Sequence, residues 1–310
     1  MQNWFFIALI APILWSIVNH IDKYMLSKYL KDRGVGALLI FSALASVIIL
    51  PFVLFFYYSQ IFNISNRDLI TLFFVGFLSV GAFYFYLKGM DEEEASVVIP
   101  LFQLVPVFGY FLGYLILGES LNLAQIFSSL LIISGIIILA VEIDVDNNVT
   151  LKSRVLLLIT ISSLLFALHD TLFKKVAITE SFITSVFWQY VSLTVFGFFI
   201  FVFIKKYRDD FLAMIRNTGK KLLSLNIISE LLYIIGNLTN NFATLLAPVA
   251  IVLVVSSYQP LFVFIGGILL TIFLPNISME KISTKHLIHK VISILIIVIG
   301  SYFLYSSSNY

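Results

Sequence analysis

The chain has 310 residues, 60% of them hydrophobic and only 12% charged, with a mean hydropathy of +1.04. Soluble domains carry about 25% charged residues, so a soluble enzyme is excluded and an integral membrane protein is implied. The net charge of +2, with Lys and Arg scattered between apolar runs, offers no nucleic-acid footprint, and the absence of cysteine removes disulfides, thiolate metal sites and cysteine nucleophiles.

No positive charge precedes the first apolar run and no small-residue cleavage site ends it, so that run is expected to be a retained helix, not a signal peptide. Crossing the hydrocarbon core takes about 20 mostly apolar residues. Ten runs reach that length: 4–26, 35–58, 69–88, 95–117, 123–141, 155–176, 182–204, 222–246, 249–273 and 287–305. They are too long for barrel strands and do not alternate polar with apolar. The expected fold class is therefore all-α, integral to the membrane, with ten transmembrane helices. The junction Ala247-Pro248 is short enough for the eighth and ninth runs to read as one helix. Between the seventh and eighth runs, Phe211, Leu212 and Ile215 alternate with Arg208, Asp209, Asp210 and Arg216. That stretch reads either as an amphipathic helix at the interface or as a solvated loop.

Two stretches recur at nearly constant offset. Leu14-Trp15, Asn19 and Lys23 of the first run match Leu165-Phe166, Asp170 and Lys174 of the sixth, 151 residues on. Residues 95–98, Gln103 and Pro106-Val107-Phe108 match Val249-Ala250-Ile251-Val252, Ser257 and Pro260-Leu261-Phe262 at an offset of 154. With five runs in each half, this pattern predicts two inverted five-helix repeats, residues 1–150 and 151–310.

The run Ala95-Ser96-Val97-Val98, with Leu101, Gln103, Leu104 and Pro106, followed by Leu117-Gly118-Glu119 before the fifth span, resembles the drug/metabolite transporter superfamily, specifically its EamA-like ten-helix members. The resemblance implies a secondary transporter with a central substrate cavity and both termini in the cytoplasm. The second half departs from the pattern, with Pro275-Asn276 and a polar loop where a second Leu-Gly-Glu would stand.

Polar groups inside spans are candidate functional residues because burying them is costly. In the first span Asn19 and His20 lie deep, whereas Asp22 and Lys23 sit near the end, within reach of the interface. In the sixth, His169 accompanies Asp170 and Lys174, which at i, i+4 are expected to pair along one face. Glu230, Tyr233, Asn237, Asn240, Asn241 and Thr244 make one stripe of the eighth span. Such a stripe serves either as glue between helices or as a cavity wall, and Glu230 favours the wall. The third span offers Ser79, Tyr84 and Tyr86 but no row of amides. Pro100 and Pro106 bracket Gln103 in the fourth span and Pro260 follows Gln259 in the ninth; each proline frees a carbonyl and bends its helix. Trp15, Trp188, Gln189, Tyr190 and Tyr258 could contact a substrate, or could serve packing and interface anchoring. Gly109 and Gly113 form a small-residue pair read as close packing within the chain. The candidate substrate-binding set is thus Trp15, Asn19, His20, Gln103, His169, Asp170, Trp188, Gln189, Glu230, Tyr233, Asn237, Asn241 and Tyr258, with no catalytic residue, no metal and no cofactor.

The functional expectation is a secondary transporter of a small metabolite working by alternating access, with Glu230 as the carboxylate whose burial makes proton coupling feasible. A GxxxxGK[ST] loop is absent, which argues against direct ATP coupling, and GxSxG and HExxH are absent, which argues against an intramembrane hydrolase. A channel or a non-transporting assembly protein is the alternative. Expected partners are a small-molecule substrate and membrane lipid, with no nucleic acid; a monomer and a homodimer both remain open. The expected location is a multi-pass position in the cell membrane. Sixteen Lys and Arg fall after odd-numbered spans, against Arg67, Lys174 and Lys175 after even-numbered ones. The positive-inside rule thereby places both termini outside the cytoplasm, opposite to the resemblance.

Overall fold

A computed structural model describes residues 3–28, 34–92, 98, 101–102, 104–140, 153–217, 220–273 and 284–307. Among these residues the protein is all-helical, without strands. In chain order the helices are α1 (Asn3–Lys28), α2 (Gly34–Ala45), α3 (Ile49–Ile61), α4 (Asn66–Glu92), α5 (Leu104–Leu112), α6 (Leu123–Ala140) and α7 (Ser153–Thr179). They continue with α8 (Phe182–Phe203), α9 (Lys205–Asn217), α10 (Lys220–Leu246), α11 (Val249–Ser256), α12 (Gln259–Phe273) and α13 (Thr284–Ser307).

Among the described residues six segments are long and apolar enough to cross a membrane: Asn3–Asp22, Gly34–Ile61, Asn66–Glu92, Ser153–Thr179, Phe182–Phe203 and Val249–Leu270. Shorter apolar helices run over Leu104–Leu117, Leu123–Gly135 and Ile292–Ser307. The long α10 is not among the six; its Glu230, Asn226, Asn240 and Asn241 are buried inside the protein. Large apolar side chains cover the outside, including Phe55, Leu115, Leu123 and Phe273, as a lipid-facing surface requires.

Two of the long spans are broken. A 3-10 turn over Ser46–Ile48 separates α2 from α3, and a turn at Ser257 and Tyr258 separates α11 from α12. Pro260 enters α12 at its second residue, a position that needs no backbone donor, so the break lies where Pro260 predicts a bend. Ala247-Pro248 divides α10 from α11 into two helices. After α5 the chain continues as a π-helix over Gly113–Leu117, stopped by Gly118 at φ 69°, a left-handed conformation that favours glycine.

The packing is pairwise. α4 runs along α7, α1 along α10 and α6 along α13, while α2 packs on α8 and α5 on α11. Small residues allow close approach: Gly76 faces the Ser192 side chain, and Gly197 faces the Ala43 backbone. Gly109 lies against Leu253 and Gly113 against the Glu119 carboxyl, so this glycine pair serves contacts within the chain. Hydroxyls add cross-helix bonds, from Ser162 Oγ to the Ala82 carbonyl at 2.8 Å and from Ser192 Oγ to the Phe73 carbonyl at 2.9 Å. The stretch 205–217 is helical, not a loop. Its apolar side buries Phe211 and Met214 against α2, with Tyr207 packed over Gly36, while Lys205, Lys206 and Arg216 are exposed.

Candidate functional site

The polar stripe of α10 faces inward. Glu230, Asn240, Asn241 and Thr244 are buried, whereas Ile227, Ile228, Leu231, Ile235 and Phe242 on the other side are exposed. Helical periodicity accounts for both faces, because the polar residues recur every three or four positions and the exposed ones fall between them. The inward face meets α1, packed along it, and together with α2, α4, α5, α7, α11 and α12 these helices enclose a cavity of about 1120 Å³, including the part open to solvent.

Seven residues of the expected set line this cavity: Trp15, Asn19, His169, Asp170, Glu230, Tyr233 and Asn237. Five described ones do not. His20 points from α1 toward α12, its Nε2 3.0 Å from the Val263 carbonyl and against Gly266. Trp188 donates from Nε1 to the Ile61 carbonyl at 2.7 Å, within a cluster of Phe62, Phe73 and Phe187. Tyr258 is buried in the apolar core at the helix break. Gln189 and Asn241 stand one layer behind the wall. Gln103 lies outside the described residues.

That second layer orients the first. Asn241 Nδ2 donates to Gln189 Oε1 at 3.2 Å, and Gln189 Nε2 lies 2.8 Å from His169 Nε2. An amide N–H donating to Nε2 puts the imidazole proton on Nδ1, which sits 2.7 Å from Asp170 Oδ1 and donates to it. Asp170 Oδ2 accepts from Asn240 Nδ2 at 3.2 Å, and Ser256 Oγ donates to Asn240 Oδ1 at 2.8 Å. Asp170 therefore has donors on both oxygens. The chain of bonds spans α7, α8, α10 and α11 and locks His169 and Asp170 at the cavity wall.

Lys174 does not pair with Asp170. It reaches instead to Glu119, with Nζ 2.5 Å from Oε1, and donates to the Ala247 carbonyl at 2.8 Å. The other Glu119 oxygen accepts the Val249 backbone N–H at 2.8 Å. Gly118 makes this possible by turning the chain sharply after the π-helix, so that Glu119 swings under the α10–α11 junction. The cation then meets a carbonyl at the end of α10 and the anion meets the first N–H of α11, each matching the local helix dipole. The i, i+4 expectation fails because Asp170 is already satisfied and these orphan backbone groups compete for the charges.

Several cavity residues carried weak signals in the sequence. Asp22 sits near a helix end, Ser42 and Ser79 are isolated hydroxyls, and Tyr86 is one aromatic among many. Asn240 belonged to the α10 stripe, and its bond to Ser256 across the α10–α11 hairpin brings it to the wall. Ser256 and Ser257 mark the α11–α12 break, where their hydroxyls also bond to the carbonyls of Val252 and Leu253.

An all-helical architecture with apolar spans around a polar central cavity defines a multi-pass membrane protein. Residues 2–141 match the EamA-like transporter family, a family of the drug/metabolite transporter superfamily. The chain also resembles a protein solved by crystallography, titled "Crystal structure of protein", at a TM-score of 0.67 and 12% identity over 98% of this chain and 96% of the other, which shows a shared fold. None of the curated proteins matches the chain.

Proposed function

We propose that this protein is a secondary transporter of a small metabolite in the cell membrane, with ten spans arranged as two inverted five-helix halves, 1–150 and 151–310, that rock around a midplane site. The observation that carries the reading is the cavity itself, walled by α1, α2, α4 and α5 of one half and by α7, α10, α11 and α12 of the other. The packing supports the two-fold arrangement. Exchanging the halves converts the α1–α10 pair into the α7–α4 pair, while α2–α8, α5–α11 and α6–α13 each map onto themselves. Asn19 and Asp170, matched by the repeat at an offset of 151, also stand on the same cavity wall.

Trp15, Asn19, His169, Asp170, Glu230, Tyr233 and Asn237 contact substrate in this reading, with Gln189 and Asn241 positioning His169, and Glu230 couples transport to protons. Reconstituted in vesicles, the protein should show saturable uptake of a metabolite and counterflow after preloading. Non-saturable flux would instead indicate a channel, and no flux from folded protein across amines, amino acids, nucleosides and sugars would indicate an assembly protein. Glu230→Gln removes the titrating group while keeping its shape, so pH-driven accumulation should vanish while the protein stays folded. Unchanged pH-driven accumulation in that variant overturns the coupling role.

A further inference from the structure

We propose that the cavity takes a small organic cation, its ammonium held between Asp22 and Glu230 and its carbon skeleton against the aromatic wall. This rests on the transport-site reading above and extends it by assigning the charge of the substrate.

The inference starts from the charges that line the cavity. Asp22 of α1 and Glu230 of α10 are only 8% and 7% exposed. Among the described residues each meets one hydroxyl: Ser229 Oγ donates to Asp22 Oδ1 at 3.3 Å, and Ser42 Oγ donates to Glu230 Oε1. Both residues line the same cavity, from helices packed along one another. An ionised carboxylate accepts about four hydrogen bonds, and a buried charge requires a partner. Among the described lining residues there is no Lys or Arg, and His169 is committed to Asp170 and Gln189. Asp170, with donors on both oxygens, makes no comparable demand. The protein thus supplies the anions of a site but not the cation.

A second observation points to a ligand independently. Asn19, 6% exposed, accepts from the Tyr86 hydroxyl at 3.2 Å through Oδ1, while its Nδ2 has no partner among the described residues. The Trp15 indole N–H, also without a partner among the described residues, packs against Gly236 of α10 instead. Asn19 and Asp22 fall at i and i+3 on one face of α1, so an unused donor stands on the face that carries Asp22. A ligand that completes these groups carries an ammonium and, a short distance away, an acceptor such as a hydroxyl or carbonyl.

The walls favour an organic cation over a metal ion. Trp15, Phe83, Tyr86, Phe102, Phe166 and Tyr233 line the cavity. Aromatic faces attract ammonium groups, whereas a hard metal cation needs six or more oxygen ligands.

The test is binding to the purified full-length chain in detergent, read by calorimetry and thermal shift. The probes are phenethylammonium and tetramethylammonium, compared with 2-phenylethanol, phenylacetate, L-phenylalanine and sodium chloride. Phenethylammonium should bind saturably and at least tenfold more tightly than the neutral, anionic and zwitterionic analogues. Asp22→Asn and Glu230→Gln should each weaken it tenfold or more, and Asp209→Asn, at a side chain 56% exposed, should leave it unchanged. Equal or tighter binding of an uncharged, anionic or zwitterionic analogue, a full shift with sodium alone, or no binding of either ammonium overturns the proposal. The ligand series is read on the unaltered chain, so it stands even where a variant fails to fold. Ammonium binding without saturable uptake would retain the cation site and overturn the transporter reading. Saturable uptake of a neutral or anionic solute with no ammonium binding would do the reverse.

Discussion

Two regions of the protein bury acidic groups, and they treat them in opposite ways. At the α10–α11 junction, Glu119 meets Lys174 at 2.5 Å and a backbone N–H at 2.8 Å, while Lys174 also holds a carbonyl. Every charge there has its complement within the chain. In the cavity, Asp22 and Glu230 have one hydroxyl each. A buried ion pair is costly to desolvate and strongly destabilising when half of it is removed, so the junction is built to hold helices together. A carboxylate left short of partners adds little to the folded state by itself, and its value lies in what it binds. The contrast separates a structural charge from a functional one within a single membrane interior.

That comparison is exposed to measurement, in order of expected loss of stability. Lys174→Met leaves Glu119 buried without its cation and should cost about 3–5 kcal/mol, read as a lower midpoint for unfolding in detergent. Adding Glu119→Gln to it should recover most of the loss, since the uncompensated charge is then gone; a double variant as unstable as the single one would mean that packing, not charge, holds the junction. Asp170→Ala lies between the two regions, because it strips the donors of His169 and Asn240 of their acceptor. A loss of about 1–3 kcal/mol is expected from those unsatisfied groups, together with impaired transport. Glu230→Gln and Asp22→Asn should change stability by less than about 1 kcal/mol, since neither separates a built ion pair, yet should abolish pH-driven accumulation in the case of Glu230. If these two variants were as destabilised as Lys174→Met, the division into structural and functional charges would fail. The smallest effect concerns topology: tags at either terminus should be labelled from outside intact cells, as the positive-inside rule applied to the charge count requires. Labelling only after permeabilisation would favour the opposite orientation.

Much of this was legible from composition and periodicity. Membrane integration followed from the scarcity of charge, since lipid admits few uncompensated ions. The inward face of α10 followed from residues spaced by three and four, because helical geometry alone puts them on one side. The bend near Pro260 followed from local backbone chemistry, a missing N–H. The helix at 205–217 was half legible, as its amphipathic pattern fits an interface as well as a solvated loop until α2 is seen to cover its apolar side.

What the tertiary structure alone decided was partnership. Lys174 is four residues from Asp170, yet it bonds Glu119, 55 positions away in the chain, because Asp170 is already satisfied by His169 and Asn240. Gln189 and Asn241 looked like substrate contacts and stand behind the wall instead, while Asp22, Ser42 and Tyr86 form part of it. Periodicity assigns a residue to a face of its own helix, but the rotation and depth of neighbouring helices determine what that face meets. A hydrogen bond forms or fails within a few tenths of an ångström, and no pattern along a single helix carries that distance.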